Sequence, residues 1–167
     1  MTKDNPVINS HWLEMTRDAE NEYENLEPWD NELQQLEFDL QENELDSLAA
    51  YQYAVRFGLE APHLLKTFYE LGIDTPEVHQ LHLHSYQIGA HIAGGHALGY
   101  DKDGLTGNIA KLKRALRSAN YCLEALLSMK RKHLTENDAT EKLIQYNILV
   151  RDSLIHRIEE LRQQVWW

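Results

Sequence analysis

The chain has 167 residues, 43% of them apolar and 26% charged, which suits one hydrophobic core plus an appendage. Its single Cys122 excludes an intramolecular disulfide, the start Met1-Thr2-Lys3-Asp4-Asn5-Pro6 holds no apolar signal-peptide core, and no window approaches eighteen consecutive apolar residues. The expectation is a protein of the reducing cytoplasm, neither secreted by this route nor spanning a membrane.

The net charge of −11 is unevenly distributed. Residues 1–46 hold fourteen Asp/Glu against Lys3 and Arg17, a net of −12, whereas residues 97–167 hold twelve Lys/Arg against nine Asp/Glu, a net of +3. Such asymmetry fits an acidic segment that meets a basic partner or covers the protein's own basic face; a solvated segment that only aids solubility is the plainer alternative.

In chain order, Ser10 can cap a helix through Trp12, Met15, Ala19 and Tyr23 that Pro28 must stop, and Leu33, Leu36, Leu40 and Leu45 recur at helical spacing after Trp29. Residues 1–46 therefore read as an acidic, partly helical extension. Four longer helices follow over 47–167. The first is expected from Asp46/Ser47 to Leu71, closing at Gly72, with Pro62 as a kink. The second opens at Thr75-Pro76-Glu77 and runs to about Leu98 before Gly99. The third begins between Asp103 and Thr106 and ends near Lys130-Arg131-Lys132, cations that suit the negative end of a helix dipole. The fourth starts at Thr135, with Asp138 in capping-box position, and continues nearly to Trp166. Few glycines or prolines interrupt these stretches, which are rich in Leu, Ala, Glu, Gln and Lys. Short connections make consecutive helices antiparallel neighbours, so the expected fold is all-α, an up-down-up-down antiparallel four-helix bundle with an acidic helical N-terminal extension.

Ile109, Leu112, Leu116, Ala119, Leu123 and Leu126 form a heptad seam on the third helix. On the fourth, Leu143, Val150, Leu154 and Leu161 make one stripe and Ile144, Ile148, Ile155 and Ile158 a second beside it. Two stripes exceed what one bundle interior needs, so the surplus is expected either under the extension or between subunits.

The order Ile88-Gly89-Ala90-His91-Ile92-Ala93-Gly94-Gly95, a short polar turn, then a helix from Asn108 to Met129 resembles the four-helix-bundle proteins that include the 23S rRNA intervening-sequence proteins and the accessory variability determinant of diversity-generating retroelements. The resemblance spans roughly residues 47–163. Where that family tends to carry Asn-Ile-Ala-Glu-Gly, this chain has His91-Ile92-Ala93-Gly94-Gly95, so the Asn and the Glu are replaced. The resemblance implies a homo-oligomeric ring of bundles without catalytic machinery, which in the retroelement branch binds a reverse transcriptase and its template RNA through a basic surface. The counterpart here is Lys111, Lys113, Arg114, Arg117, Lys130, Arg131 and Lys132, whose charges would give salt-dependent, sequence-tolerant binding. A solvated helix face is the alternative for the same residues.

Two further constellations bear on chemistry. Of nine histidines, His79, His82, His84, His91 and His96 crowd the second helix. His79 and His82 share a face at i,i+3, and His84 and His91 another at i,i+7, yet a metal site wants three or four converging ligands. A polar or pH-sensitive face is the reading preferred for them. Arg151-Asp152-Ser153-Leu154-Ile155-His156 fits the Arg-x4-His pattern of HEPN-type ribonucleases, with His156 as acid or base and Arg151 stabilising charge on phosphorus; Arg56 and His63 satisfy the wider spacing as well. An Asp152–His156 pair on an exposed face is the plainer account. Phosphate-loop, nucleophile-elbow and Cys-x-x-Cys patterns are absent from the sequence. The resulting expectation is a non-enzymatic oligomeric adaptor without cofactor, engaging a protein or nucleoprotein partner and no membrane, with the ribonuclease as its competitor.

Overall fold

The computed structural model describes residues 44–134 and 138–165. The expected helices of the extension, the Thr135 cap and the terminal Trp166-Trp167 pair lie outside them. Within the described residues the chain is all-helical: after one helical turn at 44–47 come α1 (Ala49–Glu70), α2 (Pro76–Ala97), α3 (Leu105–Arg131) and α4 (Asp138–Gln163). No helix among them is long and apolar enough to cross a membrane.

The helix ends follow local chemistry more closely than composition. α1 starts later than Asp46/Ser47 because Leu48 is extended and Ser47 Oγ donates back to the Glu44 carbonyl at 2.6 Å instead of capping forward. Its end is a Schellman turn. Gly72 takes φ +67°, its N–H bonds to the Tyr69 carbonyl, and Ile73 N–H reaches the Phe68 carbonyl at 2.9 Å. At the head of α2, Thr75 has the extended backbone of a cap but makes no capping side-chain bond, so Pro76 and Glu77 in the first turn carry the start signal. α3 is opened by Asp101, whose carboxylate accepts the Gly104 N–H at 2.7 Å and whose carbonyl accepts that of Leu105 at 2.9 Å. Position 104 admits only glycine, since a Cβ there would lie 1.8 Å from the Leu98 carbonyl oxygen. The same turn that ends α1 ends α3 with a non-glycine: His133 sits at φ 53° and Leu134 N–H bonds to the Met129 carbonyl.

The helices form a closed circuit in which α1 packs on α2 and α4, and α3 on α2 and α4. Contacts at two levels make neighbours antiparallel: Glu77 meets Ser128 and Gln87 meets Ser118, Lys130 meets Glu141 and Arg151 meets Asn120, and Glu60 meets Lys142 while Ala49 and Ala50 lie by His156 and Glu160; α1 and α2, joined by a short loop, meet through Tyr69 and His82. α1 supplies Phe57, Leu64, Leu65 and Phe68 to the core, each buried; burying each such side chain contributes about 1.5–3 kcal/mol. The helix continues through Pro62.

The α3 seam is rotated from its expected position. Ile109, Leu112, Ala119 and Leu126 are buried as expected, but Leu116 and Leu123 are half-buried at the edge, and the fully enclosed line is Ala115, Ser118, Cys122 and Ala125. Small residues let α2 approach closely, and α2 answers with Ser85 and Gly95. On α4 the second isoleucine stripe divides: Ile144 and Ile158 are buried, whereas Ile148 and Ile155 remain 40% exposed.

Candidate nucleic-acid interface

α3 winds its charged positions away from that small-residue line. Lys113, Arg114 and Arg117 are exposed on its outer side, and Lys111 is half-buried against α2. Lys111 has room because Gly95 carries no side chain: a Cβ there would come within 3.3 Å of Lys111 Cβ, whereas one at Gly94 would make only ordinary contact, at 3.9 Å, with the lysine stem. Both glycines lie inside the last turns of α2, and the part of Gly95 is close approach of α3 rather than the helix-end geometry its place in the sequence suggests.

The electrostatics of this corner are legible in His91. Partial burial, then the nearby Lys111 and Arg114, hold its pKa below the ordinary imidazole value. Two cations therefore press on one imidazole. Among the described residues, none of Lys111, Lys113, Arg114 and Arg117 takes part in an ion pair.

The lysines at the far end of α3 differ. Lys130 Nζ lies 2.6 Å from Glu141 Oε2, and Lys132 is bonded to Glu77, which also accepts from Ser128 at 3.0 Å. With Lys132 as the main cause, Glu77 is held down at about 2. Two of the seven expected cations are thus neutralised within the bundle, and Arg131 stays exposed beside them. Spacing along α3 cannot reveal this, because the carboxylates come from α2 and α4.

Residues outside the sequence-based set join the outer face. Tyr121 is 39% exposed, one turn beyond Arg117, and stacks on His84 at 4.6 Å between centroids. The His84 Nδ1 shares a hydrogen bond with Gln87 Oε1 at 2.9 Å, and Ser118 Oγ donates to the same oxygen at 3.2 Å. The sequence signal for Tyr121 was its helical spacing, i,i+7 from Arg114 and i,i+4 from Arg117. A flat aromatic pair next to unpaired cations is the chemistry that holds bases and phosphates of a single strand.

The remaining histidines disperse. His79 Nε2 is 2.6 Å from Asp74 Oδ1, at the head of α2, and His82 Nδ1 is 2.8 Å from the Tyr69 hydroxyl on α1. With His84 and His91 turned to α3, the four point to three different neighbours. Among the described residues no three His, Cys, Asp or Glu side chains converge as metal ligands would.

Arg151 and His156 are also kept apart. Arg151 Nε donates to Asn120 Oδ1 on α3 at 2.6 Å, whereas His156 is exposed and lies 3.1 Å from Glu160 Oε1. Five residues of α-helix turn two side chains about 140° from each other. His156 accordingly pairs with Glu160, not with Asp152.

No family model matches the chain, and no curated protein matches it. Among solved structures it is similar to a Bacteroides thetaiotaomicron protein of unknown function from the S23 ribosomal protein family, at 19% identity and a TM-score of 0.58, over 65% of this chain and 97% of that one. The likeness shows the fold, and at that level it is consistent with the resemblance drawn from the sequence.

Proposed function

We propose that this protein is a non-enzymatic helical adaptor that engages an RNA–protein partner, of the kind a reverse transcriptase makes with its template, through the outer face of α3. The observation that carries the reading is the run Lys113, Arg114 and Arg117, unpaired among the described residues, beside Lys111 and next to the exposed Tyr121–His84 stack. Phosphates would replace the counterions of these cations, and the aromatic pair would take a base without reading sequence. Self-association into an oligomer belongs to the same reading, with Ile148 and Ile155 as apolar surface to cover. The −12 carried by residues 1–46 would compete with RNA for the basic face and tune its affinity.

The separation of Arg151 from His156 gives the ribonuclease reading no geometric support. The test is fluorescence anisotropy with a single-stranded 30-nucleotide RNA. Affinity should fall roughly 20- to 50-fold between 50 and 200 mM salt for three to four phosphate contacts, at about 0.7 logarithmic units of slope per contact. It should be lost when Lys113, Arg114 and Arg117 are changed to Gln, and should rise when residues 1–46 are removed. RNA bound equally by the triple variant would sink the assignment to α3; no binding by any form would leave a purely protein partner.

A further inference from the structure

Along most of their shared length α2 and α3 carry no acid. The two acidic residues of these helices are Glu77, bonded to Lys132 at the head of α2, and Glu124, which stands ten residues along α3 from Arg114, a rise of about 15 Å. In the loop that joins the helices, the Asp101 carboxylate accepts the Gly104 N–H and Asp103 is exposed. Into this stretch the fold puts three nitrogen-bearing side chains. Lys111 lies along α2, since a Cβ at Gly94 would be 3.9 Å from its Cδ, Cε and Nζ alike. His91 is one turn before Gly94 on the same side of α2, at i,i+3, and Arg114 follows Lys111 on α3 at the same spacing.

His91 is half-buried between them. Beyond that partial burial, what disfavours its charged form is the pair Lys111 and Arg114, both of α3. Its neighbours one turn away on α2 are Gln87, Ile88, Gly94 and Gly95, none of which titrates. Among the described residues α1, the other helix packed on α2, supplies no charge to it. An anion seated on Lys111 and Arg114 reverses the sign of this local field. Protonation of His91, opposed in the free protein, then becomes favourable and gives the anion a third charged donor.

We infer that His91, Lys111 and Arg114 together form a phosphate-binding site, taken by a backbone phosphate of the RNA, and that binding there brings a proton onto His91 and so strengthens as pH falls. The inference rests on the RNA reading and adds to it a residue of α2 and a dependence on pH. The sign follows from reciprocity: a ligand that raises the proton affinity of His91 is itself held more tightly once His91 is protonated. A phosphodiester stays anionic wherever an imidazole titrates, so at this site the pH dependence belongs to His91. Lys111 and Arg114 keep their charge across the same range.

The experiment has two arms, both on the full chain. In the first, histidine NMR signals are followed from about pH 8 to about pH 5.5 in chloride and in sodium trimetaphosphate of equal ionic strength, a phosphate whose own charge is constant over that range. The His91 midpoint should rise by about one pH unit in trimetaphosphate, and Arg114→Gln should raise the midpoint in chloride while shrinking that response. In the second, RNA anisotropy is measured at about pH 8 and about pH 6; affinity should increase roughly three- to fivefold more for the natural chain than for His91→Gln. A His91 midpoint unmoved by trimetaphosphate, or indifferent to Arg114→Gln, overturns the inference. RNA bound by His91→Gln with the natural pH dependence also overturns it, while leaving the RNA reading in place. RNA bound at neither pH, with the midpoint still raised by trimetaphosphate, would keep the site and overturn RNA as the source of its phosphate. Should His91→Gln fail to fold, the midpoints of the natural chain and of Arg114→Gln decide.

Discussion

Gly95 on α2 and Asn108 on α3 approach so closely that a Cβ at position 95 would lie 3.0 Å from Asn108 Oδ1 and 3.2 Å from its carbonyl oxygen. Asn108 cannot swing away freely, since it is buried and its Nδ2 donates to the Gly99 carbonyl at 3.0 Å. Gly95→Ala should therefore destabilise by about 1–2 kcal/mol, overpacking outweighing the gain in helix propensity. Gly89, in the same helix, has nothing within 4 Å of the place a methyl group would take, so Gly89→Ala should stabilise by about 0.5–1 kcal/mol. Thermal unfolding should move in opposite directions for the two variants, by roughly 2–4 °C per kcal/mol. A rise for both would mean that α2 and α3 approach less closely than these distances require.

Glu77 makes acid sensitivity specific. Lys132, with Ser128 beside it, holds the folded-state pKa at about 2, below the ordinary value of 4.5. A depressed pKa contributes stability that is complete above about 4.5 and disappears as pH falls from there toward 2. Denaturant midpoints for the natural chain and Glu77→Gln should differ at pH 6, and the gap should narrow steadily below pH 4.5 to roughly a quarter of its size at pH 2.5. A constant gap across that window would assign the effect to packing instead.

Cys122 is fully enclosed, and burial pushes its thiol up to about 12. The thiolate is the reactive form, so a disulfide reagent at pH 8 should label Cys122 only as fast as the protein opens. Labelling should accelerate through the denaturant transition. Rapid modification of the native chain would contradict the enclosed α3 line of Ala115, Ser118, Cys122 and Ala125.

Arg151 and His156 should also separate energetically. Arg151 Nε bonds to Asn120 Oδ1 in a partly buried setting, and Asn120→Ala should cost about 1–2 kcal/mol by leaving that donor unmet. His156 is exposed and paired only with Glu160 along its own helix, so His156→Ala should stay within about 0.5 kcal/mol. Chemical denaturation of both variants checks the contrast.

How much of this was legible in the sequence depends on the range of the interaction. Gly72, Pro76, Gly99 and the cationic end of α3 act within a turn, and they located the four helices to within a few residues. The rotation of the α3 seam was not visible, because leucine spacing gives the apolar face but not which part of it meets a neighbour that comes close through Ser85 and Gly95. The pairing of Lys132 with Glu77 and of Lys130 with Glu141 joins residues far apart in the chain, so seven lysines and arginines looked equivalent when four of them stand together unpaired. Likewise, a 22-residue helix makes about six turns, and five histidines spread along it face α1, α3 and the loops before and after the helix instead of one ligand.

Pro62 has a dynamic consequence. Lacking an N–H, it leaves the Gly58 carbonyl without the donor a helix normally supplies four residues later, so α1 is two hydrogen-bonded segments joined at a weak rung. The earlier segment is tied to α4 by Glu60 and Lys142, the later one to α2 by Tyr69 and His82. Each can open while the other stays closed, so the slowly exchanging amides of α1 should fall into two cooperative groups with their boundary at residue 62.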